Sequence, residues 1–104
     1  MRVRLTSLPA VMAFALILPT PIVVGQKGKA FSQAEVRVKL GEKVVFRNDD
    51  DVTHNVFTAA PGFAFNVVAM KPGAEHQLSL TRAGAFDVRC AFHPQMKVKI
   101  IVAP

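Results

Sequence analysis

The chain has 104 residues, a length that suits one domain, and its 13 Lys and Arg outnumber its 7 Asp and Glu. The positive charges are spread out, with no Arg-Gly motif and no interleaving of basic and aromatic residues, which argues against nucleic-acid binding. A single cysteine excludes an internal disulfide.

The N-terminal residues have the order of a secretory signal peptide. The start is basic, Leu8 to Leu18 is an almost unbroken apolar run, and Val23-Val24-Gly25 offers small residues for cleavage. The run is shorter than the about 20 residues of a membrane span, and prolines within and after it disfavour an uncleaved anchor. We therefore predict a signal peptide over residues 1–25, one mature domain over residues 26–104, a periplasmic location and no stable membrane insertion after processing.

The mature part alternates apolar and polar residues with a period of two, which is typical of half-buried β-strands. Gly- and Pro-containing turns separate short strands at regular spacing, a pattern that indicates an antiparallel β-sandwich or barrel. The segment from Phe63 to Met70 is apolar but has no clean period. The predicted strands cover residues 36–40, 43–47, 54–58, 77–81, 86–90 and 96–102.

Potential metal ligands concentrate near the C-terminus. The segment from Cys90 to Met96 places a thiolate, the His93 imidazole and a thioether at even three-residue spacing, and His54 offers a second imidazole upstream. Cys90 ends a predicted strand on its inward face, His93 lies in the predicted loop, and Met96 begins the next strand. Two His, one Cys and a weak Met are the ligand set of a blue-copper site, so we predict one type 1 copper ion bound by these four residues.

Other metals and other polar residues fit this pattern less well. Zinc also binds Cys and His, but structural zinc sites usually have a fourth strong ligand, and no further Cys or carboxylate has a matching spacing. His76 shares the strand parity of Leu78 but has no Cys or Met beside it, so we interpret it as structural. The aspartates of residues 49–51 are interpreted as a solvated turn on the far side of a loop from His54.

With these motifs in place, the sequence resembles the cupredoxins, the type 1 blue-copper proteins of the amicyanin and plastocyanin kind. The resemblance covers essentially residues 30–103. It is carried by the segment from Cys90 to Met96, by Leu40 to Asn48 followed by His54-Asn55-Val56, and by Ala83 to Cys90.

The resemblance implies an all-β Greek-key sandwich or barrel with His54, Cys90 and His93 as equatorial copper ligands and Met96 as the axial one. It also implies that Asn55 braces the ligand loop from outside the ligand set. The function implied is that of an electron carrier that cycles between Cu(I) and Cu(II) and exchanges electrons with a protein donor and a protein acceptor. Because His93 lies in the predicted loop beside uncharged residues, we predict that a monomer docks transiently with these partners near His93.

Two other functions remain open at this level. A protein that stores or delivers copper would favour an exposed, Met-rich site, whereas the mature part has only Met70 and Met96. A thiol enzyme would need Cys90 beside a base and a third orienting group, and the short loop to His93 holds such a pair poorly. We therefore predict no catalytic residues and no enzymatic activity.

Overall fold

The computed structural model of the protein describes residues 20–104, which form nine β-strands. Within that part of the chain, no helix has the length and apolar character needed to cross a membrane. The strands are Ile22–Lys27 (β1), Ala30–Phe31 (β2), Glu35–Lys39 (β3), Lys43–Asn48 (β4), His54–Thr58 (β5), Phe65–Met70 (β6), Glu75–Ser79 (β7), Gly84–Cys90 (β8) and His93–Ala103 (β9).

The strands form two sheets that pack as a sandwich, so the predicted all-β fold class is confirmed. One sheet has the order β2-β1-β4-β7 and the other the order β3-β9-β8-β5-β6. Most neighbouring pairs are antiparallel, but β1 lies parallel to β4 and β3 lies parallel to β9. These parallel pairs join strands that are not connected by a hairpin, which is why local sequence patterns do not reveal them.

Alternating apolar residues of both sheets fill the space between them. In β9, Val98, Ile100 and Val102 are buried while Lys97 and Lys99 are exposed. Phe46 of β4 is fully buried, and its ring lies 6.0 Å from the ring of Phe31 and 6.3 Å from that of Phe65. The core therefore follows the period of two on which the predicted strands were based.

Besides β1 and β2, which have no counterpart among the predicted strands, two strand assignments differ from the sequence prediction. Phe65–Met70 forms a strand because it pairs with β5, although its apolar residues lack a clean period. This pairing contains one register irregularity. β9 begins at His93, whereas the sequence placed His93 in a loop. Both differences come from pairing with a neighbouring strand, which can impose extended structure on residues with weak local signals.

The predicted end of the signal peptide falls inside β1. The apolar run before residue 20 lies outside the described residues, but Ile22 to Gly25 pair with Val44 to Arg47 of β4. Val24 is fully buried in the core between the sheets. Cleavage after Gly25 would thus remove most of β1 together with one core side chain.

We expect a chain of residues 26–104 to be less stable than a chain of residues 20–104. Full burial of a valine side chain contributes about 1.5–3 kcal/mol, and the shorter chain also loses the pairing of β1 with β4. Its free energy of unfolding, from urea titration, should therefore be lower by roughly 2 kcal/mol or more.

Point substitutions in the longer chain provide the matched control. Val24→Ala should destabilise the domain clearly, while Val23→Ala should cost less because that side chain is 38% exposed. Equal unfolding free energies for the two chain lengths would contradict a structural role for Ile22–Gly25 and leave cleavage after Gly25 open.

Candidate metal centre

The end of β8 and the start of β9 bring a thiol and an imidazole together. Cys90 is the last residue of β8, Ala91 and Phe92 form a two-residue turn, and His93 opens β9 directly opposite Cys90. The register of the two strands shifts between Arg89 and Cys90. Cys90 Sγ lies 3.9 Å from His93 Nδ1.

The second imidazole comes from β5, 36 residues earlier in the chain. His54 is fully buried, and its Nδ1 lies 3.8 Å from Cys90 Sγ. The rings of His54 and His93 have centroids 5.3 Å apart. The potential ligand atoms of these three residues lie within 4.8 Å of one another, so three of the four predicted ligands converge on one point.

Met96 lies on the core side of the strand that begins with His93. Its side chain is 1% exposed and shares the inward face of β9 with Val98 and Ile100. The thioether is therefore on the same side of the sheet as Cys90, whose side chain points inward from β8.

Asn55 connects the strand of His54 to the turn between Cys90 and His93. Its Oδ1 accepts a hydrogen bond from the backbone N–H of Ala91 at 3.1 Å. Its Nδ2 donates to Asn66 Oδ1 and to the carbonyl of Val67, both at 2.8 Å. One buried side chain thus ties together β5, β6 and the turn.

The sequence interpretation missed one polar contact of this centre. His54 Nε2 lies 2.9 Å from Asp50 Oδ2, although Asp50 was interpreted as part of a solvated turn on the far side of a loop. This hydrogen bond is the main cause that holds the pKa of the Asp50 carboxyl below its usual value, and it outweighs the opposing effect of burial. The sequence signal that could have indicated this contact is an acidic residue four positions before a candidate histidine ligand.

The donor arrangement fits a copper ion of type 1. Metal–nitrogen bonds of about 2.0 Å and metal–sulfur bonds of about 2.3 Å separate trigonal donors by roughly 3.5–3.7 Å, close to the two sulfur–nitrogen distances here. A thiolate with two imidazoles is the soft and borderline donor set that suits copper in both oxidation states. Burial of Cys90 and His54 also protects the thiolate from oxidants in solution.

The other histidine and the neighbouring surface complete the description. His76 lies in β7 of the opposite sheet and stacks on Phe65, outside the cluster of donors. Beside the turn, Phe92 is 58% exposed and Val68 is 69% exposed. Both line a shallow groove with Asn55. Met70, at the end of β6, is buried in the core.

Comparison with known proteins agrees with this geometry. Residues 21–103 match the family of copper binding proteins described as the plastocyanin/azurin family. The chain belongs to this family. The predicted resemblance to the cupredoxins is therefore confirmed, and the protein is a small blue-copper electron-transfer protein whose candidate type 1 site consists of His54, Cys90, His93 and Met96.

Relatives within the family are amicyanins. Amicyanin from Paracoccus denitrificans is 31% identical over 93 residues, which cover 86% of this chain and 71% of that protein. Amicyanin-alpha from Methylorubrum extorquens is 32% identical over 75 residues, which cover 69% of this chain and 63% of that protein.

Solved structures give the same answer for the fold. A reduced amicyanin variant superposes with a TM-score of 0.73 at 31% identity, covering 84% of this chain and 86% of that one. The Cu(I) form of another amicyanin variant superposes with a TM-score of 0.73 at 30% identity and the same coverage.

We expect the two sulfur residues of this cupredoxin to contribute unequally. Cys90→Ser should abolish the intense thiolate-to-copper absorption, because that band requires the thiolate bond. Met96→Leu should retain the colour and raise the reduction potential, since an axial thioether is a weak ligand. Visible spectroscopy and voltammetry of the copper-loaded variants measure both effects.

His76→Gln is the control, because it removes an imidazole outside the donor cluster and should leave the colour unchanged. Loss of copper from Met96→Leu as complete as that from Cys90→Ser would show that Met96 is not a weak axial ligand.

Proposed function

We propose that this protein carries single electrons between protein partners in the periplasm. In this proposal His54, Cys90 and His93 are the equatorial ligands of one copper ion and Met96 is the axial ligand. The observation that carries the proposal is the convergence of one sulfur and two imidazole nitrogens from β5 and from the β8–β9 turn. Bound copper supplies a centre that accepts and releases one electron by cycling between Cu(I) and Cu(II).

The protein holds these donors in fixed positions. His54 and His93 each begin a strand, and Cys90 ends one, so paired backbone restrains all three. The hydrogen bond from the Ala91 N–H to Asn55 restrains the turn between Cys90 and His93. Donors that move little between oxidation states keep the reorganisation cost of electron transfer small, and outer hydrogen bonds of this kind maintain ligand geometry.

Burial favours an electron carrier over the two alternatives. Cys90 is 1% exposed and His54 is fully buried, so a substrate cannot reach the thiol as a thiol enzyme requires. The same burial disfavours rapid exchange of copper with another protein, as a delivery protein requires. We therefore propose a carrier without catalytic residues rather than an enzyme or a copper store.

His93 provides the route to the surface. It is the donor with partial exposure, while Cys90 and His54 are covered. Phe92 follows Cys90 by two residues, and with Val68 it makes an exposed apolar surface beside the turn. A small apolar surface suits a transient redox encounter, in which a partner must approach closely and dissociate quickly. We propose that monomers dock there with their electron donor and acceptor, and not with nucleic acid.

The N-terminal residues support the periplasmic location. Their basic start and apolar run have the order of a signal peptide, as predicted for residues 1–25. Since Ile22–Lys27 forms β1, we propose that cleavage leaves this strand on the mature domain, without stable membrane insertion. Intact mass measurement of the exported protein would locate the cleavage point.

The copper carrier function has a direct test. Addition of one equivalent of Cu(II) to the metal-free protein should produce an intense visible band, and voltammetry should show a reversible one-electron wave. Cu(II) that binds without the intense band would contradict a type 1 site, and an irreversible wave would contradict a carrier. The Cys90→Ser variant serves as the control for the origin of the band.

Docking beside His93 should be sensitive to charge on the apolar surface. We expect Phe92→Glu to leave copper bound and to lower the bimolecular rate of electron transfer with a protein partner by about tenfold or more. The physical reason is that the introduced carboxylate would have to lose its hydration when a partner covers it on docking. Stopped-flow kinetics at several ionic strengths measure the rate.

Leu40→Glu is the matched control, because Leu40 is also exposed and apolar but lies far from His93. Its N–H donates a hydrogen bond to the carbonyl of Ala103, which is at the opposite end of β9 from His93. If both variants change the rate equally, the effect is one of net charge and the electron uses another route.

A further inference from the structure

We propose that Asp50 is a positioning residue for the copper site. Its carboxylate fixes the ring of His54 in the tautomer and orientation that present Nδ1 to copper, and its negative charge favours Cu(II) over Cu(I). This inference rests on the proposed copper function, but the orientation of His54 can be tested without copper.

The first step of the argument is the tautomer of His54. A carboxylate only accepts hydrogen bonds, so the 2.9 Å contact with Asp50 Oδ2 requires the proton on His54 Nε2. In the neutral ring Nδ1 then carries a lone pair. Nδ1 is the atom that faces Cys90 Sγ at 3.8 Å. Asp50 therefore selects the tautomer in which the correct nitrogen is free to bind a metal.

The second step is that Asp50 is itself held in place. Asp50 Oδ2 also accepts from the N–H of Gly28 at 3.2 Å, and Oδ1 accepts from the N–H of Asp51 at 3.1 Å. The N–H of Asp50 donates to Asn48 Oδ1 at 2.9 Å. The buried side chain of Asn48 is fixed by bonds of 2.8 Å to the carbonyls of Val52 and Met70.

The turn that supplies the Gly28 N–H has a defined geometry. Gly28 and Lys29 connect β1 to β2, with φ values of 61° and 59°. Positive φ at both central residues is the signature of a type I′ hairpin turn. The turn of one sheet thus supports the carboxylate that orients a histidine of the other sheet.

The third step is the contrast between the two histidines. His54 is fully buried with both ring nitrogens engaged, by Asp50 and by Cys90. Within residues 20–104, the hydrogen-bonding contact of His93 runs only to Cys90 Sγ, and its ring is partly exposed. Asp50 therefore orients only the buried histidine, His54, whose ring is not accessible to water.

The fourth step is electrostatic. The side chain of Asp50 is only 16% exposed, so its charge is screened less than that of a surface aspartate. A nearby negative charge stabilises Cu(II) more than Cu(I), because the doubly charged ion interacts more strongly. A carboxylate that accepts a hydrogen bond from Nε2–H also raises the basicity of the ligating ring, which acts in the same direction.

The variants Asp50→Asn and Asp50→Ala separate charge from orientation. Asn keeps an acceptor oxygen of the same size but has no charge, whereas Ala removes both. Asp51→Asn is the matched control, because it removes one charge from the next residue, whose exposed carboxylate does not bond to His54.

We expect Asp50→Asn to raise the affinity for Cu(I) relative to Cu(II) by about tenfold, which corresponds to a rise of about 59 mV in the reduction potential. Asp50→Ala should raise the potential as well and lower the affinity for Cu(II) by about 10- to 100-fold, as is usual when a partner of a ligating histidine is lost. Asp51→Asn should change both quantities much less.

The ¹⁵N NMR spectrum of the metal-free protein at one fixed pH reports the tautomer of His54 directly. The wild-type protein and Asp50→Asn should show the proton on Nε2, and Asp50→Ala should show a mixture of tautomers. An unchanged tautomer in Asp50→Ala would overturn the orienting role. Equal potentials for Asp50→Asn and Asp51→Asn would overturn the specific electrostatic role.

These outcomes are distinct from a failure of the copper function. A wild-type protein without the intense visible band would contradict the type 1 site, while the NMR measurement would still decide whether Asp50 orients His54. If Asp50→Ala does not fold, the reduction potential of Asp50→Asn decides the electrostatic role. The tautomer of His54 in Asp50→Asn then tests the orienting role, because a proton moved from Nε2 to Nδ1 would contradict that role.

Discussion

The contact between Cys90 Sγ and His54 Nδ1 at 3.8 Å joins two segments 36 residues apart, and the candidate centre depends on it. It exists because β5 and β8 are neighbours in one sheet, with Phe57 opposite Arg89. Asn55 then fixes the distance between the segments through the N–H of Ala91. His93 needs no such long-range support, since a two-residue turn already places it opposite Cys90.

Buried polar side chains surround this contact at one end of an otherwise apolar sandwich. Burial of a polar group is costly unless it is hydrogen-bonded, and Asn48, His54 and Asn55 each have partners. Asn48 and Asp50 link the turn after β1 to His54, and Asn55 links His54 to the ligand turn. The covered histidine is thus held rigidly, while His93 stays partly exposed at the surface, where we propose that the partner docks. A carrier needs both properties, because the donors must stay fixed while the electron reaches a docked protein.

The sequence by itself determined the features that depend on neighbouring residues. Alternation of apolar and polar residues is a direct consequence of the pleat, so it predicted most strands and the inward direction of Cys90. The three-residue spacing from Cys90 to Met96 is likewise local, and the donor atoms of these residues indicate copper by their chemistry alone. His54 could be added to the site from donor chemistry, although nothing local shows that β5 lies beside β8.

Only the tertiary structure decided the features that depend on pairing across the chain. β6 is a strand because it pairs with β5, and Ile22–Lys27 belongs to the domain because it lies parallel to β4. The contact between Asp50 and His54 also needs the β1–β2 turn, whose Gly28 N–H holds the carboxylate in place. A run of aspartates after a strand has the composition of any solvated turn, and only the packing of the two sheets directs one of them at a buried histidine.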